Sequence, residues 1–138
     1  MKYAITLLAC VVGYTASAMS SLPNGTYEGK GVWRTEKGQK GEYTMKVTFK
    51  DNHMEEMLMV DGKTFEVKAD AKFDGNDFFV VSIAGAPSSR GYCGSVWCHA
   101  EGKDFEETMA FVENHLYQLG SKTADGVKLV WEGDLEKK

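Results

Sequence analysis

From Thr26 onward the chain alternates apolar and polar residues with period two, the pattern of strands with one buried and one wet face. Tyr27, Gly29, Gly31 and Trp33 fall on one face of the first strand, with Thr26, Glu28, Lys30 and Arg34 on the other. The polar run from Thr35 to Gly41 predicts a hairpin loop. The cleanest alternation follows: Tyr43, Met45, Val47 and Phe49 against Glu42, Thr44, Lys46, Thr48 and Lys50. Asp51-Asn52 turns the chain into Met54 to Val60, and Asp61-Gly62 is a strong tight-hairpin signal. Phe65, Val67, Ala69 and Phe73 then alternate with Glu66, Lys68, Asp70 and Lys72. Asp74-Gly75-Asn76 turns again into Phe78 to Ala84, which is apolar on both faces.

After Gly85-Ala86-Pro87-Ser88-Ser89 comes a segment of different character, Arg90 to His99, with two of the three cysteines and one of the two arginines. Phe105, Met109 and Phe111 form the next inward face. A turn near Glu113-Asn114 leads to Leu116 to Ser121, and a turn at Asp125-Gly126 leads to Val127, Leu129 and Trp131. Leu135 to Lys138 reads as a frayed tail.

Apolar residues nowhere recur at helical spacing over a helical length, and only Glu101 to Glu107 lets a short helix compete with a strand. About nine strands joined by short turns imply neighbours that pair in chain order. A long antiparallel meander must hide its edges, and closure does so completely. The predicted fold is all-β, an antiparallel meander closed as an up-and-down barrel of about 8–10 strands; the alternative is a β-sandwich.

The N-terminus changes the domain boundaries. Lys2, the apolar run Tyr3 to Val12 and the small residues Ala16-Ser17-Ala18 read as a secretory signal, cleaved after Ala18. Residues 1–18 are then a leader and 19–138 a single domain. The apolar run is too short for a spanning helix, which needs about 20 residues, so no membrane span is expected. A rival reading takes Leu7-Leu8-Ala9-Cys10 as a bacterial lipobox, with Cys10 lipidated as an anchor.

Cleavage removes one charge, Lys2, leaving 15 basic against 20 acidic residues and a net charge of −5 where the whole chain has −4. That acidity favours solubility and argues against nucleic acid, which needs a basic face. The roughly 120 remaining residues can bury a core of their own. Asn24-Gly25-Thr26 is an N-glycosylation sequon, usable only in a eukaryotic source.

Gly31-Val32-Trp33, in the first strand of an exported meander of this length, resembles the G-x-W that opens lipocalins and related calycins. In that superfamily the Trp closes one end of the barrel and stacks under an Arg from the last strand. Here Val127 to Glu132 contains no Arg, and Lys128 or Trp131 would have to take that place. The resemblance implies a barrel that binds a small hydrophobic molecule inside.

Candidate chemistry is sparse. Cys93 and Cys98 enclose four residues, and an exported two-cysteine protein most often makes one disulfide. A bond across so short a loop contributes about 2 kcal/mol. The following His99 completes a C-x4-C-H that invites a haem reading, but the wide spacing and all-β surroundings favour a staple. A redox-active pair is a further alternative, weakened by the same spacing. Structural zinc would need two more ligands nearby. No metal and no cofactor is expected. His53, Met57 and Met59 suit copper chemically, yet methionines sharing a strand face more often fill core.

Glu107 is the most informative polar residue. Period two places it inward with Phe105, Met109 and Phe111, where a carboxylate is costly unless paired or neutral. Arg90 is a candidate partner. The inward aromatic set reads as Tyr27, Trp33, Tyr43, Phe49, Phe65, Phe73, Phe79, Phe105, Phe111, Tyr117 and Trp131.

The leading expectation is an exported, non-catalytic barrel that binds a small apolar or amphipathic ligand. Glu107, Arg90, His99, Trp33, Tyr43, Phe105, Phe111 and Tyr117 are the candidate ligand-binding residues, framed by Cys93 and Cys98. The alternative is a protein-binding or inhibitory module with a filled core and an aromatic patch, Tyr92 or Trp97, outside. A third reading, an enzyme, requires Glu107, His99, His115 or Arg90 to converge in one open cleft within hydrogen-bond reach.

Overall fold

The computed structural model describes residues 17–82 and 89–138. Most of the expected leader, with Cys10, and the stretch 83–88 lie outside the described residues. Among the described residues ten strands follow one another: β1 (Gly25–Thr35), β2 (Lys40–Lys50), β3 (His53–Val60), β4 (Lys63–Asp74), β5 (Asp77–Ser82), β6 (Ser89–Cys93), β7 (Trp97–Glu101), β8 (Phe105–Val112), β9 (His115–Ala124) and β10 (Val127–Lys137). Each pairs antiparallel with the next, and β10 pairs back onto β1. The sheet is therefore a closed up-and-down barrel, and the sandwich alternative falls. The strand beyond the expected nine comes from the cysteine segment, which folds back on itself as the β6–β7 hairpin. Glu101 to Glu107 forms no helix: β7 ends at Glu101 and β8 begins at Phe105.

Two-residue turns set the register. Asp51 and Asn52 (φ 51° and 64°), Asp61 and Gly62 (50° and 74°) and Asp125 and Gly126 (52° and 71°) all lie in the left-handed region. Paired left-handed residues make the turn whose twist matches that of the flanking strands, and Asn, Asp and Gly adopt it at least cost. The residues flanking such a turn pair directly, as Lys50 does with His53. An inward residue therefore passes its orientation across the turn: Phe49 pairs with Met54, Val47 with Glu56 and Met45 with Leu58.

One end of the barrel, where the β2–β3, β4–β5, β6–β7 and β8–β9 turns lie, is filled. Tyr27, Phe49 and Phe111 meet edge to face with centroids 5.6–6.1 Å apart, a favoured aromatic geometry. Val47, Leu116 and Leu135 are fully buried beside them. The lead-in to β1 closes this end: Met19 and Leu22 join the core, the Met19 N–H donates to the Gly94 carbonyl and the Leu22 N–H donates to Asn52 Oδ1, each at 2.8 Å.

The expected frayed tail belongs to this end too. Leu135 pairs with Gly29 and with Leu116 and has no exposure, and the Lys138 N–H donates to the Thr26 carbonyl at 2.9 Å. The polar run Glu132 to Lys138 hides one inward leucine among charged residues that stay exposed.

Cys93 and Cys98 form the expected disulfide. They are direct cross-strand partners of β6 and β7, 4.0 Å apart at Cα, and both are buried. The C-x4-C-H motif is thus a staple in the core, with His99 on the opposite face of β7. Replacing both cysteines by alanine is expected to lower stability by about 2 kcal/mol with the strands intact, checked by urea denaturation beside free-thiol titration of the wild type. Two free thiols in the unreduced wild type would contradict the staple.

Candidate functional site

The other end of the barrel is half filled. Trp33, Phe105 and Trp131 line it on the β1, β8 and β10 side; Leu58, Phe65 and Val67 line it on the β3 and β4 side. Phe65 and Val67 have inward register, yet they are 51% and 41% exposed. A wall residue that faces the barrel axis and still meets solvent marks an open cup.

Glycines on the inward faces make room for the large side chains. A Cβ on Gly41 would strike the Trp33 ring, one on Gly120 the Trp131 ring, and one on Gly31 the Tyr43 phenol. The rings lie flat against bare backbone in place of projecting across the lumen. Gly31 makes that room for Tyr43 of the neighbouring strand.

The floor of the cup is polar. Tyr43 on β2, Glu56 on β3, Glu107 on β8 and Gln118 on β9 all point inward in register. A Cβ placed on Gly133 would stand 2.6 Å from Tyr43 Oη and 3.3 Å from Gln118 Oε1, so the two polar atoms converge over that glycine. Tyr43 and Gln118 are 4% and 3% exposed. Tyr43 Oη, both amide atoms of Gln118 and Trp33 Nε1 have no hydrogen-bond partner among the described residues. A buried polar atom left without a partner costs about 1–3 kcal/mol, and four of them on three inward side chains single out this part of the barrel.

Glu107 accepts a hydrogen bond from Trp131 Nε1 at 3.3 Å. Burial, and after it the charge of Glu56, push its carboxyl up to about 8 against the lowering effect of that bond. Burial also raises the Glu56 carboxyl. Burial and the charges of Glu107, Glu56 and Glu132 raise the Tyr43 hydroxyl well above its ordinary value. These shifts agree with the geometry: two carboxyls share a poorly solvated lumen in which no Lys, Arg or His of the described residues forms an ion pair with either.

Of the residues proposed from sequence, the structure brings Trp33, Tyr43, Glu107 and Phe105 together at the cup. Phe111 faces inward but belongs to the filled end. Tyr117, His99 and Arg90 lie on the outer face. Tyr117 is 43% exposed and stacks on His115, because its neighbours Leu116 and Gln118 take the inward positions. His99 Nδ1 is hydrogen-bonded to Thr108 Oγ1 at 2.8 Å. Arg90 lies opposite Glu101 and lines an outer groove of about 340 Å³ with Phe79 and Lys103; it is no partner for Glu107. His115 is also on the outer face, bonded to Asp134, so these residues share no cleft with Glu107.

Two further assignments of facing change. Phe78 is the inward member of its pair and Phe79 is exposed. Met57 and Met59 are exposed on the outer face of β3 and do not fill core. Trp33 keeps its inward face and lies directly opposite Trp131 at the half-open end, so Trp131, and not Lys128, occupies the last-strand position beside the G-x-W tryptophan.

Glu56 and Gln118 were missed, and the turns held the signal. Phe49 inward and a two-residue turn at Asp51-Asn52 put Met54 and then Glu56 inward. Phe111 inward and the turn at Glu113-Asn114 do the same for Leu116 and Gln118.

Fold and site together define a class: a closed ten-stranded antiparallel barrel, compatible with a calycin-like barrel, filled at one end and cupped at the other around an uncompensated polar floor. No protein-family model matches the chain, and no curated protein matches it in sequence at a significant level.

Proposed function

We propose that this is an exported, non-catalytic, calycin-like carrier that holds a small apolar or amphipathic molecule in the cup. The observation that carries this reading is the set of buried, unpartnered polar atoms on Tyr43, Gln118 and Trp33 beneath the half-exposed apolar wall of Phe65 and Val67. Ligand sites of this kind combine an apolar lining with a few convergent polar groups that fix orientation. Export is supported by the leader-like N-terminus and by the disulfide, a bond that persists in oxidising compartments. Among the described residues no helix is long and apolar enough to cross a membrane.

A second reading, a protein-docking module, is favoured by the outer aromatic strip: Tyr92 stacks edge-on against Trp97 at 5.6 Å, with the exposed Leu119 on the same face.

Titration with 1-octanol, followed by tryptophan fluorescence, separates the two. Saturable binding is expected, weakened about tenfold or more by Val67→Glu in the cup wall, a change of at least about 1.4 kcal/mol. Leu119→Glu on the outer wall is expected to leave it unchanged. The opposite pattern would move the site to the outer strip, and absence of binding would overturn the carrier reading.

A further inference from the structure

Resting on the cup reading, the polar floor also says what sort of head group it takes. We propose that the guest is an organic cation, an alkyl- or arylammonium whose charged end sits between Glu56 and Glu107.

Glu56 comes from β3 and Glu107 from β8, strands on different sides of the barrel, and both side chains enter the lumen. Neither is neutralised by a cation of the described residues. The cations of inward register at this end, Lys63 and Lys122, stand exposed toward the rim. The other groups facing Glu107 are uncharged: Ala100 on β7, Gln118 and Gly120 on β9, Trp131 on β10, Trp33 on β1 and the Tyr43 phenol on β2.

The second, independent observation is Gln118. It is nearly fully buried, and both its amide atoms lack a partner among the described residues. Its Oε1 and Tyr43 Oη present two more acceptors over Gly133. An ammonium carries several N–H donors and no acceptor, which is the complement of two carboxylates, an amide oxygen and a phenol oxygen. Above them Trp33, Trp131 and Phe105 offer aromatic rings, and Phe105 stacks on Trp131 at 5.9 Å. Such faces attract a cation and also pack an apolar body. A carboxylate or phosphate head would instead meet two like charges in a poorly solvated space.

Three probes with one skeleton test the idea: n-octylamine, 1-octanol and octanoate, titrated by calorimetry at about pH 9, where an alkylamine is still a cation. Octylamine is expected to bind at least about tenfold tighter than octanol, and octanoate weaker than octanol. In the Glu56→Gln, Glu107→Gln double variant octylamine is expected to bind no tighter than octanol, and a cooperative urea transition checks that the variant is folded. Octanol binding with no amine preference in the wild type, or a preference that survives in the double variant, would overturn the cation assignment and leave the carrier reading standing. Failure of all three probes would overturn both.

Discussion

Glu107→Gln is expected to remove most of a loss of stability that the wild type suffers between about pH 5 and pH 9. The carboxyl is raised from 4.5 to about 8 in the folded protein, chiefly by burial and then by Glu56. Between those two values the native state holds a proton that the unfolded chain has released. Stability therefore falls as pH rises through this window, and the loss is complete above the folded value. The whole shift corresponds to roughly 4–5 kcal/mol; because the cup admits water, about 2–3 kcal/mol is the expected size. Glutamine keeps an acceptor for Trp131 Nε1 and carries no charge. At about pH 5 the two proteins should be close in stability, and at about pH 9 the variant should be the more stable by that amount, read from urea denaturation.

The comparison must be between variant and wild type, because other groups move the same way. His53 is raised first by its hydrogen bond to Asp70, and His115 by its bond to Asp134. Each contributes stability below its unfolded value that is lost as pH climbs through its folded value. Both are half-buried on the outer face, and their contribution cancels in the difference. Parallel pH profiles for wild type and variant would show that Glu107 does not sit in the environment described.

Leu135→Ala is expected to cost about 3 kcal/mol. The side chain has no exposure and joins the filled end beside Leu116, where removing a leucine side chain loses its transfer energy and leaves a cavity, together about 2–5 kcal/mol. Leu119→Ala, on the outer wall at 62% exposure, should change stability by no more than about 0.5 kcal/mol. Urea denaturation of both variants checks the pair. A Leu135 variant within about 1 kcal/mol of wild type would return the C-terminal segment to the status of a loose tail.

That tail shows where reading the sequence stops being easy. From Glu132 to Lys138 the one apolar residue is Leu135, and isolated it carries no periodic signal. Its burial depends on pairing with β1, the strand farthest from it in sequence. Phe78 and Phe79 show a different ambiguity: in a segment apolar on both faces, local pattern cannot select the inward one, though the turn at Gly75-Asn76 can, since it pairs Phe73 with Phe78. The same transmission across two-residue turns would have exposed Glu56 and Gln118 and turned Tyr117 outward. Arg90 and His99 neighbour the cysteines along the chain but do not share their face of the sheet. Alternation sends Cys93 and Cys98 inward and carries Arg90 and His99 to the other face.

By itself, then, the sequence determined the strands, nearly all of their turns, the disulfide partners and the inward face of most strands. Those properties are local: a period of two, left-handed turn residues and a five-residue separation between cysteines are all written within a few positions. Only the tertiary structure decided which inward residues fill the barrel and which line a cup. It alone joined β10 to β1, set Trp131 opposite Trp33, and put Glu56 and Glu107 in one lumen with the unpartnered Gln118 and Tyr43. Those relations join residues tens of positions apart, and the closure of the barrel creates them.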